Sequence, residues 1–528
     1  MIYVIGSGPA GVSSSVALVR EGYDVTMLDA GIDLDFERRR IVEQLSVQEA
    51  DDWDPLMLER LKVNMAPSAA GVALKYTYGS DFPYRETGTY IPKELKNAAV
   101  LSSLAKGGLS NVWGAAVLPY AADDISDWPF TISELEPHYR SVLSFMALSA
   151  TRDDLESRFP LYSDDYASLG ASRQINAFLR DLRGQSEQLK SRGFLFGSSR
   201  LAVSARNPHN HACAACGLCL YGCPYGLIYN SALTLEKLQQ HPNFTYVNDV
   251  IVNKFEESLD HVRIIGKRHT SQEPVSFKAS RVYVAAGVLS STKLILDSLE
   301  AYDRTLTLRD SQYFMLPLLR YRSEGRVTEE QLHTLAQVFI EVSDGKLSDK
   351  TIHLQIYGYN DLYRKAFENV FGRFYRVSRL ATNAFLNRFL LIQGYLHSEV
   401  SPSISLRLTA PEKGFPGRLI LEGNNGGRSR QIVRGVVAKL ARNRKRLKAI
   451  PVRYLLKIGQ PGQGNHSGGS LPMRAKPGEF ETDIAGRPSG FRRVHVVDSS
   501  IFPTIPATTI TLSIMANAHR IASSHAQY

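Results

Sequence analysis

The chain opens on an apolar, β-branched run, Ile2-Tyr-Val-Ile5, followed at once by Gly6-Ser-Gly8-Pro-Ala-Gly11. Val12 to Arg20 then reads as a helix, and Asp24-Val-Thr-Met-Leu28 as a second strand ending at Asp29. Strand, glycine turn, helix, strand and acid in this order predict a parallel α/β unit at the start of the chain. Much later, residues 313–321, 336–343, 351–358, 402–408 and 418–422 are β-rich runs with turn residues between them, the pattern of an antiparallel sheet. Residues 428–450 place Ile432, Val433, Val436, Val437, Leu440 and Leu447 at helical spacing. A second amphipathic stretch carries Phe367, Val370, Phe371, Phe374, Val377, Ala381, Phe385 and Phe389.

The opening unit carries chemistry as well as fold. Gly6 suits the tight turn, Gly8 lets a backbone approach a pyrophosphate, and Gly11 lets the helix pack closely on the strand. The helix N-terminus would face the diphosphate, and Asp29, eighteen residues after Gly11, would accept hydrogen bonds from a ribose. A dinucleotide cofactor is expected here.

At 528 residues the chain is too long for one core and predicts two or three domains. Apolar residues at 44 % and charged residues at 22 % exclude disorder, collagen and coiled coil as overall descriptions. The formal charge of +10 is local: residues 428–457 hold eleven Lys or Arg and no acid, and without them the charges nearly cancel. General nucleic-acid binding is therefore not expected. No run of eighteen apolar residues predicts a membrane span. The immediate opening into a strand, without the features of a signal peptide, leads to an expectation of the cytoplasm, with a place at the inner membrane face if the basic stretch binds lipid.

Further motifs resemble the glucose–methanol–choline (GMC) oxidoreductases, a family of flavoproteins. Lys106-Gly-Gly-Leu-Ser-Asn-Val-Trp113-Gly114 resembles the family's second glycine motif, and Asp127-Trp-Pro129 with Tyr139-Arg140 the stretch that follows it. Val284-Ala-Ala-Gly287 and Ser290 to Leu296 resemble a strand and helix of its flavin domain. His466-Ser-Gly-Gly469 and Val496-Val-Asp498-Ser-Ser-Ile-Phe-Pro503-Thr resemble its catalytic-histidine and C-terminal motifs. The matches run in family order from end to end, and only residues 300 to 455 match in outline.

The resemblance implies a Rossmann-type FAD domain with an antiparallel-sheet α+β substrate domain. The FAD domain would be discontinuous, formed by residues 1–150, 201–300 and 456–528. Residues 151–200 would connect or cap, and 301–455 would bind substrate. FAD contacts are implied at Gly6, Gly8, Gly11, Asp29, Gly107, Gly108, Ser110, Asn111, Val252, Ala286, Gly287, Asp498 and Ser499. The chemistry implied is hydride transfer from an alcohol carbon to the flavin, with His466 as base. The family's second catalytic residue, His or Asn, falls at Thr509, which can hydrogen-bond a hydroxyl but is no imidazole base. Pro472-Met-Arg474 also departs from the family pattern.

All four cysteines lie within Cys213-Ala-Ala-Cys216-Gly-Leu-Cys219-Leu-Tyr-Gly-Cys223-Pro224. The spacing C-x2-C-x2-C-x3-C-P is a ferredoxin-type run for an iron–sulfur cluster, 4Fe-4S with Cys223 or 3Fe-4S without it. Zinc, local disulfides and free thiols stay open as alternatives. Sugar dehydrogenases within the resembled family also carry a cysteine-rich iron–sulfur segment, with different spacing. Together these features lead to an FAD-dependent dehydrogenase for an alcohol or sugar, passing electrons through the cluster to a cytochrome, quinone or carrier protein. An oxidase, a non-oxidative lyase of the same fold, and a membrane-surface module on a degenerate flavoprotein fold are the alternatives. For the basic stretch, contact with anionic lipid, an acidic substrate or an acidic carrier are the expectations, against plain packing on the substrate sheet.

Overall fold

The computed structural model describes residues 1–63, 74–205, 213–372, 375–412 and 415–525. Its first layer is a five-stranded parallel sheet ordered Val494–Val496, Arg281–Val284, Ile2–Ile5, Val25–Leu28 and Phe244–Val247. Ile2–Ile5 and Val25–Leu28 are continuously apolar and buried throughout, as a parallel sheet covered on both faces requires. Strands from near both ends of the sequence thus lie within one sheet. Helices Pro9–Arg20 and Thr511–Ser523 pack together beside it, and the Ser13 hydroxyl donates to the carbonyl of Met515 at 2.7 Å. A three-stranded antiparallel sheet, Val250–Glu257, Val262–Arg268 and Pro274–Ala279, follows the outermost parallel strand.

The second large sheet determines the site. Its strands run in the order Ala449–Pro451, Tyr313–Arg320, Phe389–Tyr395, Ser348–Tyr357, Val338–Asp344 and Phe194–Ser198, all antiparallel. Side chains alternate across such a sheet. Ile340, Ile352, Leu354, Ile356 and Ile392 face one way, into a core closed by the helices Arg173–Arg183 and Gly427–Arg442. Glu341, His353, Gln355, Tyr357, Gln393 and Tyr395 alternate with them and face the flavoprotein-like layer. A five-stranded mixed sheet, Ser467–Gly468, Leu306–Asp310, Ile404–Leu408, Leu419–Gly423 and Lys93–Lys96, joins the two layers. The strand Phe194–Ser198 comes from the segment expected to connect or cap, and Lys93–Lys96 from the segment assigned to the first flavin part, so sheet membership crosses the boundaries drawn on sequence.

Two expectations change here. Phe389 does not extend the amphipathic stretch; it begins a strand, because Phe389 to Tyr395 pairs on both sides. Phe374 of that stretch lies outside the described residues. The apolar stripe of the basic helix is not presented to a membrane: Val433 and Val436 are 0 % exposed beneath the sheet, so the helix covers its own core. Among the described residues, no helix is long and apolar enough to cross a membrane.

Candidate active site

A cleft of about 930 Å3 runs from the first glycine turn to the polar face of the second sheet. Gly6, Gly8 and Asp29 wall one end and His466, Gln355 and Tyr395 the other. The turn is fixed by close approach. Gly6 has φ +99°, and a Cβ on Gly11 would lie 1.9 Å from the Gly6 carbonyl oxygen. The helix therefore starts directly against the strand. Gly8 caps it in extended conformation, and a Cβ there would meet no protein atom nearer than 4.0 Å, which leaves room for a diphosphate.

Asp29 is buried, and burial raises its carboxyl pKa to about 6 against the opposing hydrogen bonds. The Ser7 hydroxyl donates to it at 2.5 Å and the Tyr246 hydroxyl at 3.0 Å. Ser7 Oγ also accepts from the Gly107 N–H at 2.9 Å, which ties the second glycine motif to the first. Within that motif Gly107 and Gly108 have φ of +84° and +58°, Ser110 Oγ donates to the Gly107 carbonyl, and Asn111 Nδ2 donates to the carbonyls of Lys106 and Gly108. Gly108 and Ser110 line the cleft. Gly11, Gly107 and Asn111, expected as cofactor contacts, do not line it; they shape the turns behind the wall.

Val252, Ala286, Gly287, Asp498 and Ser499 all line the cleft. Asp498 is committed to the protein: its carboxylate accepts from the Gly287 N–H at 2.9 Å, from the Ser291 hydroxyl at 2.5 Å and from the Ser500 N–H at 3.0 Å. It pins the helix Val288–Ser298 to the C-terminal strand. Ser499 donates to the Ser467 carbonyl at 2.9 Å and so holds the histidine loop. The fit for FAD is good by shape and chemistry: two open glycine positions, Gly8 and Gly287, a buried ribose-type acid, and a cleft near the upper end of ligand-site volumes.

Because the free protein holds Asp29 near a pKa of about 6, a ribose hydroxyl donating to its carboxylate competes with a proton below that value. FAD affinity should be level above pH 7 and weaken towards tenfold per pH unit below about 6. Flavin fluorescence titrations of the apoprotein across pH 5 to 8 measure this. An Asp29→Asn variant should bind weakly and lose that dependence.

His466 follows Asn465, whose φ is +57°, and precedes the short strand Ser467–Gly468 paired with Leu306–Asp310. Its ring stacks on Tyr395 with centroids 4.7 Å apart and planes at 22°. Nδ1 is sealed from solvent without a partner, which leaves Nε2 towards the cleft. Burial, with His353 nearby, lowers the His466 pKa to about 3, so the ring is neutral and can accept a proton. Thr509 also lines the cleft, and its Oγ1 accepts from the Leu118 N–H at 2.7 Å, which uses one of its two lone pairs and leaves its own proton to donate.

The four cysteines line a separate small cavity, together with His333. None forms a disulfide. Left-handed turns at Ala215, Gly217 and Gly222 wrap the loop, and a Cβ on Gly222 would strike the Tyr78 ring at 2.5 Å. Backbone amides of Ala215, Leu218 and Leu227 hydrogen-bond Cys213, Cys216 and Cys223. Burial pushes the thiols of Cys216 and Cys223 up to about 12 and about 11, so without a metal they stay protonated. Among the described residues, no three His, Cys, Asp or Glu side chains gather closely enough to hold a single ion.

Several site residues are absent from the sequence motifs. Lys75 lies on the cleft wall, donates to the Trp113 carbonyl at 3.2 Å, and has its pKa lowered by burial to about 8 with Cys219 and Cys223 opposing that shift. Lys93 also lines the cleft and donates to Ser102 at 3.0 Å. Gln355, Tyr357, Gln393 and Tyr395 were detectable only as polar positions alternating with apolar ones in strands, a pattern usually read as a solvent face.

Residues 430–518 match the family described as GMC oxidoreductase. Over 318 residues, 57 % of this chain, the sequence is 27 % identical to the 6'''-hydroxyparomomycin C oxidase of Streptomyces lividus, and the match spans 50 % of that protein. The chain thus spans about half the length of the curated relative it matches. In fold it is similar to the pyridoxine 4-oxidase of Mesorbium loti, with a TM-score of 0.58 at 14 % identity over 100 % of this chain and 99 % of that one. Residues 430–518, which carry His466, thus match the GMC oxidoreductase family, and the cleft and the second sheet stand around that histidine.

Proposed function

We propose that this chain is a GMC oxidoreductase that uses FAD to oxidise an alcohol carbon of a hydroxyl-rich substrate such as a sugar, and passes the electrons through an iron–sulfur cluster at Cys213, Cys216, Cys219 and Cys223 to an outside acceptor. FAD, when bound, supplies the hydride acceptor. His466 does the rest of the first step: its neutral ring takes the hydroxyl proton at Nε2 as the carbon loses hydride, so two electrons and two protons leave the alcohol together. Tyr395, stacked on the ring, fixes its plane. A hydroxyl-rich substrate is supported by the wall, where Gln355, Gln393, Gln460, Gln463 and Asn465 offer amides beside Lys75 and Lys93, while the carboxylates Asp29 and Asp498 are both engaged. Neither relative's named substrate is carried over.

The observation that supports the electron path is Trp113. It lines the cleft and its indole N–H donates to the Tyr229 carbonyl at 2.7 Å, next in the chain to Ile228, which lines the cysteine cavity. Anaerobically purified protein should contain iron and acid-labile sulfide, and Cys219→Ser should lose most of both while keeping FAD. Wild-type protein free of iron that still reduces an external dye with an alcohol would overturn the electron path and leave the alcohol oxidation standing. A second reading is an oxidase with a structural cysteine loop, favoured by the names of both relatives. Stoichiometric oxygen uptake with peroxide formation would support it.

The acceptor surface is proposed along the basic helix. Arg434, Arg442, Arg444, Lys445, Lys448 and Arg453 are exposed and form no ion pair with an acid among the described residues, while Tyr454 beside them is fully exposed. An acidic carrier protein matches this charge.

A further inference from the structure

The polar face of the second sheet carries a file of hydrogen bonds that leads from a buried carboxylate to the cleft. Glu341 and His353 are paired across neighbouring strands, 1 % and 0 % exposed, with His353 Nδ1 2.6 Å from Glu341 Oε1. His353 Nε2 lies 3.3 Å from Gln355 Nε2, and the Tyr357 hydroxyl donates to Gln355 Oε1 at 3.0 Å. His353, Gln355 and Tyr357 sit at alternate positions of one strand, so they share a face, and the last two line the cleft.

The direction of every bond in this file follows from its two ends. Gln355 Oε1 accepts from Tyr357, so the amide nitrogen is the donor towards His353. His353 Nε2 must then accept, which puts the ring proton on Nδ1, where it donates to the Glu341 carboxylate. An ionised carboxylate at Glu341 can only accept. Two groups are left for a ligand. Tyr357 has spent its only proton and presents its oxygen as an acceptor. Gln355 has a second N–H free to donate. Gln393 pairs with Gln355 across the next strand and extends the amide surface.

The file also borders both halves of the reaction site. A Cβ on Gly114, at the end of the second glycine motif, would lie 3.8 Å from the Tyr357 hydroxyl, so this side chain reaches the flavin side of the cleft. Tyr395 lies opposite His353 in the sheet and stacks on His466. A step between neighbouring strands is about 5 Å.

We propose that Tyr357 and Gln355 form a hydroxyl subsite, held in one hydrogen-bond polarity by the Glu341–His353 pair, which selects substrates carrying a second hydroxyl one or two carbons from the one oxidised. The proposal rests on the alcohol oxidation at His466 and names a further requirement of that site. A hydroxyl both donates to Tyr357 and accepts from Gln355; a ligand lacking it leaves two buried polar groups unpaired. Tyr357 and Gln355 are binding residues, and Glu341 and His353 position them.

The test uses the FAD-loaded full chain under anaerobic conditions, with flavin bleaching by stopped flow as the readout. The probes are methyl glucopyranoside, its 4-deoxy counterpart lacking the hydroxyl two carbons from the primary alcohol, 1,2-hexanediol, and 1-hexanol as its deoxy counterpart. Wild-type protein should favour a hydroxylated probe over its deoxy counterpart by about 10- to 100-fold in apparent second-order rate, the discrimination given by one unpaired buried group. Tyr357→Phe should bring that ratio close to one, the loss falling on the hydroxylated probe. Glu341→Gln, which can both donate and accept at the end of the file, should lower the ratio as well, and the double variant should lose no more than Tyr357→Phe alone. A ratio unchanged in Tyr357→Phe, or independent additive effects of the two changes, would overturn the subsite. Absence of bleaching by every probe in the wild type, with FAD bound, would instead overturn the alcohol oxidation beneath it. A wild-type preference for 1-hexanol would overturn the subsite alone.

Discussion

Replacing His466 by Ala should slow flavin reduction by an alcohol about 10²- to 10⁴-fold while FAD stays bound at full occupancy, the range for loss of a positioned general base. The expectation follows from what surrounds the ring. His466 makes no hydrogen bond through Nδ1, and its plane is fixed by stacking on Tyr395, so its removal deletes a proton acceptor without breaking a network. The FAD contacts lie on other segments, from Gly6 to Asp29 and around Gly108 and Gly287, and should survive. Rapid-scan absorbance separates the two quantities, since bound flavin is read before mixing and its reduction after. The pH dependence gives a second check. With the His466 pKa lowered to about 3, the ring is deprotonated across the whole working range. The reduction rate of the wild type should therefore show no acid limb near the ordinary histidine value of about 6.5. A slow variant with unchanged flavin content and a flat wild-type profile would agree; an unimpaired His466→Ala would remove this residue from the chemistry.

The second large effect is expected at Gly11. Gly11→Ala should reduce FAD affinity at least a hundredfold, with a loss of stability of about 1–3 kcal/mol from overpacking. The added Cβ would stand 1.9 Å from the Gly6 oxygen and 3.0 Å from its carbon, both backbone atoms that cannot swing aside. The helix would have to withdraw from the strand, carrying Gly8 and the first-turn amides away from the diphosphate position. Gly6 cannot compensate, because its own conformation at φ +99° is held close to the Ala285 carbonyl. Gly170→Ala, where a Cβ meets nothing within 4 Å, is the matched control and should bind FAD as the wild type does. Isothermal titration of the apoproteins with FAD, beside thermal unfolding, separates lost affinity from lost fold. Unchanged FAD affinity in Gly11→Ala would contradict the packing account.

The same contrast between backbone and side chain marks how much could be read without coordinates. The glycine turn is a local steric requirement, met by adjacent residues, so Gly6, Gly8, Gly11 and Asp29 were legible from spacing. Gly11, Gly107 and Asn111 were legible as part of the motifs but not as residues behind the wall, because a motif states who is needed and not which atom faces the ligand. Thr509 was readable as a departure from the family pattern; its bond from the Leu118 amide was not, since the partner lies 391 positions away.

Sequence by itself determined the order of elements, the dinucleotide turn, the base candidate in its glycine loop and the clustering of four thiols, all consequences of bonds and contacts between near neighbours in the chain. Tertiary structure decided the direction of each amphipathic surface. The stripe from Ile432 to Leu440 could have met lipid or protein, and it met the apolar face of the sheet, which it covers together with the helix Arg173–Arg183. The alternation His353, Gln355, Tyr357 marks one polar face of a strand, and packing turns that face towards the cleft, which Gln355 and Tyr357 line. Periodicity specifies that a face is polar. Only packing decides whether water, protein or a ligand lies against it.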